Sequence, residues 1–269
     1  MGVLNITPDS FSDGGLFLDA PAAVQHAFAM LDAGADLIDV GGESTRPGSG
    51  PLLSAREEQD RVLPVIEGVL RARPECVLSI DTYKEETARA AVGAGAEVVN
   101  DVSGFQWDPG LAPVCGQLGC GVILMHTRGR PSEWRSQPHL PQHEVLPLVQ
   151  SGLARSLDLA LAAGIDPSRI LLDPGFGFGK AFDNNYPLLA HLDELLALGR
   201  PLLAGVSRKS FLGRTLAQGA EDAPVAARGP ATLAATTAAI LAGASIVRVH
   251  DVPPAVEAAR IADAILAAL

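Results

Sequence analysis

The stretch VLSIDTYKEETARAAVGAGAEVVN, Val77–Asn100, holds one complete turn of the pattern that decides the fold. Its apolar opening, Val77–Ile80, reads as a short buried strand that stops at Asp81. Thr82 and Glu85 stand at capping-box spacing, so a helix is expected to start there. Gly95 stops that helix, because glycine takes the left-handed C-cap conformation without a Cβ penalty. Val98–Asn100 then opens a second strand, which again ends on a polar residue.

The same alternation runs outward in both directions. Further strands are expected at Gly2–Ile6, Leu37–Gly41, Val122–Met125, Ile170–Asp173, Leu202–Val206 and Ile246–Val249. Between Ser54 and Leu70, the residues Val62, Val65, Ile66, Val69 and Leu70 recur at helical spacing, and Ser54 with Glu57 fits a second capping box. Gly34, Gly164 and Gly243 stand before strands as Gly95 does. The last helix opens at Pro253-Pro254, where a first helical turn accepts proline. Eight β-α units point to an α/β fold, a (β/α)8 TIM barrel of eight parallel strands with outer helices. An open doubly wound sheet is the architectural alternative. The 269 residues are close to the ~250 of one such barrel, and no linker is evident, so residues 1–269 are expected to form a single domain.

Composition narrows the partners. The net charge of −11 argues against a nucleic-acid-binding surface. No uncharged apolar run reaches the ~18 residues of a membrane helix, and no basic-then-apolar opening resembles a signal peptide. Cys76, Cys115 and Cys120 have no metal-ligand spacing and leave an odd thiol, which fits buried cysteines in a reducing cytoplasm.

In a barrel the C-terminal strand ends carry the chemistry. Here they deliver Asn5, Thr7 and Asp9; Asp39, Glu43, Ser44, Thr45 and Arg46; Asp81; Asn100 and Asp101; His126; Asp173; Ser207, Arg208 and Lys209; and Arg248, His250 and Asp251. Helix capping is the plain explanation for such residues and is preferred for Ser54, Thr82 and Asp251. It does not explain Arg248, which alternates with Val247 and Val249 and so is expected to face inward. Arg46, Lys209, Arg248 and His250 suit a phosphate or diphosphate, with ion pairing to the barrel's own carboxylates as the alternative. Asp81, Asn100 and Asp173 suit a flat heterocycle with amino and ring N–H donors beside a carbonyl, and a divalent-metal cage competes for the same aspartates. Gly175-Phe176-Gly177-Phe178-Gly179-Lys180 has neither dinucleotide nor P-loop spacing. It reads either as close backbone approach to a ligand with Phe178 as a wall, or as a plain turn with a core phenylalanine.

Seven strings, in order along the chain, resemble the dihydropteroate synthases. They are GVLNITPDSFSDGG (Gly2–Gly15), GGESTRPG (Gly41–Gly48), SIDTYK (Ser79–Lys84), VVNDVSG (Val98–Gly104), LLDPGFGFGK (Leu171–Lys180), GVSRKSFLG (Gly205–Gly213) and IVRVHDV (Ile246–Val252). The resemblance implies a transferase of folate biosynthesis. Its reaction joins (7,8-dihydropterin-6-yl)methyl diphosphate to 4-aminobenzoate and releases diphosphate. It also implies that Asp81, Asn100, Asp173 and Lys209 hold the pterin, with Met125 packed on it. Arg248, His250, Asn5 and Thr45 would hold the diphosphate, and Asn5 would ligate Mg²⁺. Arg46 would assist from the second loop, Asp13 would steady the departing group or the developing cation, and Phe11, Pro47, Phe178 and Ser210 would shape the aminobenzoate site. A homodimer is implied as well, formed through the late helices.

Two features depart from the family pattern. Met125-His126-Thr127 stands where Met-His-Met is usual, and the chain starts on its first strand, whereas family chains usually begin well before it. Two other readings share part of the pattern. A catalytically silent pterin-binding paralogue would keep the pocket alone. A folate-dependent corrinoid methyltransferase of the same superfamily has no need of a diphosphate clamp.

Overall fold

The computed structural model describes residues 1–7, 19–44, 52–219 and 221–269. Eight parallel strands alternate with helices: β1 (Gly2–Asn5), α1 (Ala20–Asp32), β2 (Leu37–Gly41), α2 (Ala55–Ala72), β3 (Val77–Asp81), α3 (Glu85–Gly93), β4 (Val98–Asp101), α4 (Leu111–Leu118), β5 (Gly121–Met125), α5 (Gln142–Ala162), β6 (Ile170–Asp173), α6 (Asn185–Ala190), β7 (Leu202–Ala204), α7 (Ser210–Thr215), α8 (Gly229–Leu241), β8 (Ala244–Val247) and α9 (Val252–Leu266). The sheet runs β1 to β8 in chain order, the strand order of the (β/α)8 TIM-barrel class. All eight expected strands are present, but β8 lies at Ala244–Val247, two residues before the expected Ile246–Val249, so Arg248 follows the strand and is not inside it. β7 ends two residues early because the Val206 carbonyl closes a turn with the Lys209 N–H at 3.4 Å.

The described residues fall into two compact units, 1–124 with 156–170, and 125–155 with 171–269. In the first unit Leu4, Ile38, Val40, Leu78, Ile80 and Val99 are fully buried, as expected of parallel strands covered on both faces. Helix α2 turns Val62, Val65, Ile66 and Val69 inward, on the predicted stripe. Its capping box forms, with Ser54 N–H donating to Glu57 Oε2 at 2.8 Å and Glu57 N–H to Ser54 Oγ at 3.2 Å. The second unit packs Leu172, Leu202, Leu203, Ala204, Leu188 and Phe211. Helix α9 carries proline in its first turn, as expected.

Two capping expectations fail. Helix α3 begins after Lys84 with no side-chain cap. The Thr82 hydroxyl instead donates to Glu58 Oε2 at 2.9 Å and accepts the Lys84 N–H. Glu58 is buried and paired with Lys84 at 3.2 Å, so the hydroxyl is worth more there than at a helix end. Asp251 precedes α9 but makes no cap, because its carboxylate is paired with Arg208.

Candidate active site

In the first unit, strand register sets the site. Asn5 pairs with Gly41, Gly41 with Asp81, and Asp81 with Asn100, so these residues form one row at the C-terminal strand ends. Gly41 leaves room in that row: a Cβ there would lie 3.6 Å from Asn5 Oδ1 and 3.7 Å from Asp81 Oδ2. One layer deeper, the fully buried Asp39 accepts Asn100 Nδ2 at 2.9 Å and the Ser79 hydroxyl at 2.5 Å. Asn100 thus gives one of its two amide N–H groups to Asp39, which fixes the orientation of its side chain. The next residue, Asp101, takes the N–H groups of Ser103 and Phe105 and holds Phe105 in a left-handed conformation at φ 66°. Burial pushes the Asp101 carboxyl up to about 6, against those donors.

In the second unit, Asp173 is the centre. Its backbone carbonyl accepts the His126 N–H at 2.9 Å, and Oδ1 accepts the Gly175 N–H at 2.7 Å. Oδ2 takes no hydrogen bond among the described residues. Burial raises the Asp173 pKa, while the Gly175 N–H and then Lys209, Arg248 and Lys180 favour the ionised form. Met125 is buried against the start of the glycine loop.

The two phenylalanines of the glycine loop differ in burial, and Phe176 fits the core-turn reading. Phe176 is core, stacked on Phe211 with centroids 6.3 Å apart. Phe178 is half-buried, and the Lys209 ammonium lies 4.1 Å above its ring. Gly175 is needed at φ 69°, where a Cβ would sit 2.0 Å from the His126 carbonyl oxygen. Lys180 is buried behind this loop, and burial pushes its ammonium down to about 7 against the opposing pull of Asp173.

The ends of β7 and β8 interlock. Arg208, at φ 57°, donates to both Asp251 oxygens at 3.1 and 2.6 Å. Its own N–H is held by Thr232 Oγ1 and its carbonyl by Arg228. Ser207 Oγ accepts the His250 N–H at 3.3 Å and lies 3.0 Å from His250 Nδ1. A hydroxyl that donates to Nδ1 leaves the neutral ring's proton on Nε2. Arg248 follows β8 directly and is half-buried, with its N–H on the Ala204 carbonyl at 3.1 Å. Ser210 is exposed at the start of α7.

The His126 ring is turned toward α5. A Cβ at Gly152 on α5 would lie 2.3 Å from His126 Cδ2, so the ring packs on that helix. Burial drives its pKa down to about 2, and Nδ1 has no partner among the described residues. Thr127, in place of the usual methionine, donates to the Gly129 carbonyl at 2.9 Å and closes its own turn. Phe11, Asp13, Thr45, Arg46 and Pro47 lie outside the described residues.

The pterin-binding enzyme family model matches residues 1–250. The dihydropteroate synthase of Mycobacterium leprae is 45% identical over 98% of this chain and 92% of its own length. That of Escherichia coli K12 is 42% identical over 100% and 92%. The chain belongs to the dihydropteroate synthases. Membership makes it a transferase of folate synthesis. Among solved dihydropteroate synthases, that of Xanthomonas albilineans with 4-aminobenzoic acid superposes at TM-score 0.89, with 43% identity over 99% of this chain and 92% of that one. The same enzyme in complex with 7,8-dihydropteroate superposes at 0.86, with 41% identity over 99% and 92%.

Asp39, Ser207, Arg208 and Asp251 were visible as strand-end polar residues, but only contacts across strands reveal which partner each one orients.

Proposed function

We propose that the chain, as one pterin-binding domain over residues 1–269, condenses (7,8-dihydropterin-6-yl)methyl diphosphate with 4-aminobenzoate to give 7,8-dihydropteroate and diphosphate. The observation that carries this reading is Asp173. A buried carboxylate with one oxygen spent on Gly175 N–H and the other unspent calls for a donor. The amino and ring N–H edge of a pterin supplies one. The resemblance assigns pterin binding to Asp81, Asn100, Met125 and Lys209 as well, with Lys209 placed beside Phe178.

Arg248 offers the planar fork suited to a diphosphate, and His250, oriented by Ser207, would add a ring N–H when Nε2 carries the proton. Thr45 and Arg46 would complete the anion site, and Phe11, Pro47, Phe178 and Ser210 the aminobenzoate site. Asn5 fits Mg²⁺ because this ion binds through few protein oxygens plus substrate phosphates, and a single amide oxygen at a strand end suits that use. Among the described residues no three His, Cys, Asp or Glu side chains gather into a metal cage. When bound, Mg²⁺ would neutralise charge growing on the departing diphosphate.

Asp173 and Asp81, if ionised, would favour the positive charge that develops at the pterin methylene as the C–O bond breaks, with Asp13 assisting from the first loop. The amine of 4-aminobenzoate then attacks that carbon, and no protein nucleophile is needed.

A second copy of the chain is proposed as the partner. An apolar groove of about 610 Å³, lined by Tyr186, Leu189, Ala238 and Leu241, lies between α6 and α8 in the second unit. Leu241→Glu should convert a dimer to monomer by sedimentation, and a wild-type monomer would remove the proposal. A cytoplasmic location is supported by three buried free thiols. No described helix is long and apolar enough to cross a membrane.

The test is turnover. Purified protein with both substrates and Mg²⁺ should release diphosphate and dihydropteroate in equal amounts. Pterin binding without product would point to a silent paralogue.

A further inference from the structure

Lys180 is a buried cation that the assigned roles do not use. Only 7% of it is exposed. Its ammonium donates to the Gly175 carbonyl at 2.7 Å, the His126 carbonyl at 3.3 Å and the Phe178 carbonyl at 3.4 Å. An ammonium has three N–H donors, and three carbonyls meet it. Left-handed glycines at Gly175, Gly177 and Gly179 curl the loop so that these carbonyls converge. Burying an ammonium costs several kcal/mol before such bonds offset it, so an apolar side chain would fill this space more cheaply. The amine is explained by what it holds.

Each carbonyl belongs to a segment that carries a site group. Gly175 donates its N–H to Asp173 Oδ1. His126 donates its N–H to the Asp173 carbonyl. Phe178 carries the ring under Lys209, braced edge-on by Trp134 at 5.3 Å. No other side chain reaches more than one of these carbonyls in the described contacts: Arg128 holds the loop's far end through Gly179, and Asn185 holds Gly177 by its N–H.

The geometry points to Lys180 as a positioning residue that sets the Phe178 ring beneath Lys209 by stapling the glycine loop to the end of β5. It therefore governs affinity for the aromatic amine without touching it. This inference rests on the aminobenzoate role of Phe178 proposed above.

The experiment is a double-mutant cycle on turnover, using the full chain and the KM for 4-aminobenzoate as readout. Lys180→Met, one atom shorter, fills most of the same space and removes the donors. It is expected to raise that KM about tenfold, with a smaller change in the KM for the pterin diphosphate. Phe178→Ala raises the same KM by itself. In the Phe178→Ala background, Lys180→Met should add less than twofold, because its effect passes through the missing ring. A full tenfold loss in that background, or an unchanged KM in the single variant, overturns the proposal. If Lys180→Met does not fold, Lys180→Gln, which retains two donors, carries the same cycle. Failure of both to fold assigns Lys180 to folding alone and likewise overturns it. Wild-type turnover is the control: its absence would sink the proposed reaction, whereas additivity with an active wild type sinks only the role of Lys180.

Discussion

Replacing Asp39 with alanine isolates one link between core and pocket. Asp39 is fully buried and accepts Asn100 Nδ2 at 2.9 Å and the Ser79 hydroxyl at 2.5 Å. Alanine strands the Asn100 amide and leaves the Ser79 hydroxyl only the Ile38 carbonyl at 3.5 Å, and each poorly satisfied buried donor costs about 1–3 kcal/mol. The expected loss of stability is therefore about 2–6 kcal/mol, or a fall in Tm of about 5–20 °C for a chain of this size. The released Asn100 side chain is no longer held in orientation for the pterin, and losing one hydrogen bond of about 1.4 kcal/mol weakens binding about tenfold. Asp39→Asn keeps an acceptor for Asn100, and the Ser79 hydroxyl can rotate to accept, so most of the affinity should return. Titration calorimetry of a free pterin against the folded variants measures this. If Asp39→Ala binds pterin within twofold of wild type while Asn100→Ala binds tenfold more weakly, Asp39 does not position Asn100 and the reasoning fails.

Arg208→Gln removes the two-point pair with Asp251 and should raise the KM for the pterin diphosphate several-fold, leaving the affinity for a free pterin unchanged by calorimetry. Ser207→Ala frees the His250 ring and should lower diphosphate affinity by about threefold to tenfold in direct titration, on the scale of one hydrogen bond. Asp101 binds its proton more tightly folded than unfolded, so its contribution to stability is complete below about pH 4 and is lost as pH rises through about 6. Urea titrations across that window should show a decline in wild type that Asp101→Asn flattens; an unchanged slope would remove Asp101 as its source.

The alternation of strands and helices was legible because buried parallel strands read as short apolar runs, and Gly34, Gly95, Gly164 and Gly243 do take positive φ before their strands. Strand register also placed Asn5, Asp81 and Asn100 at ends that the hydrophobic pattern located. The partners of polar side chains were less legible. Thr82 and Asp251 have cap-forming side chains at helix starts, yet both are drawn away by buried or half-buried charges, Glu58 and Arg208, that are distant in sequence. His126 shows the same limit. Its strand position is right, but only the packing against Gly152 shows that the ring faces a helix. In the glycine loop, spacing does not distinguish Phe176 from Phe178; burial separates the core ring from the one beneath Lys209.

The central claim is that the strand ends divide their work, with Asp173 reading the heterocycle and Arg248 the anion. The direct measurement is calorimetric titration of wild type, Asp173→Asn and Arg248→Ala with a free pterin and with its methyl diphosphate. Arg248→Ala should bind free pterin like wild type and lose the increment that the diphosphate adds, while Asp173→Asn should weaken both ligands by the same factor. Equal losses for both ligands in both variants would contradict the division.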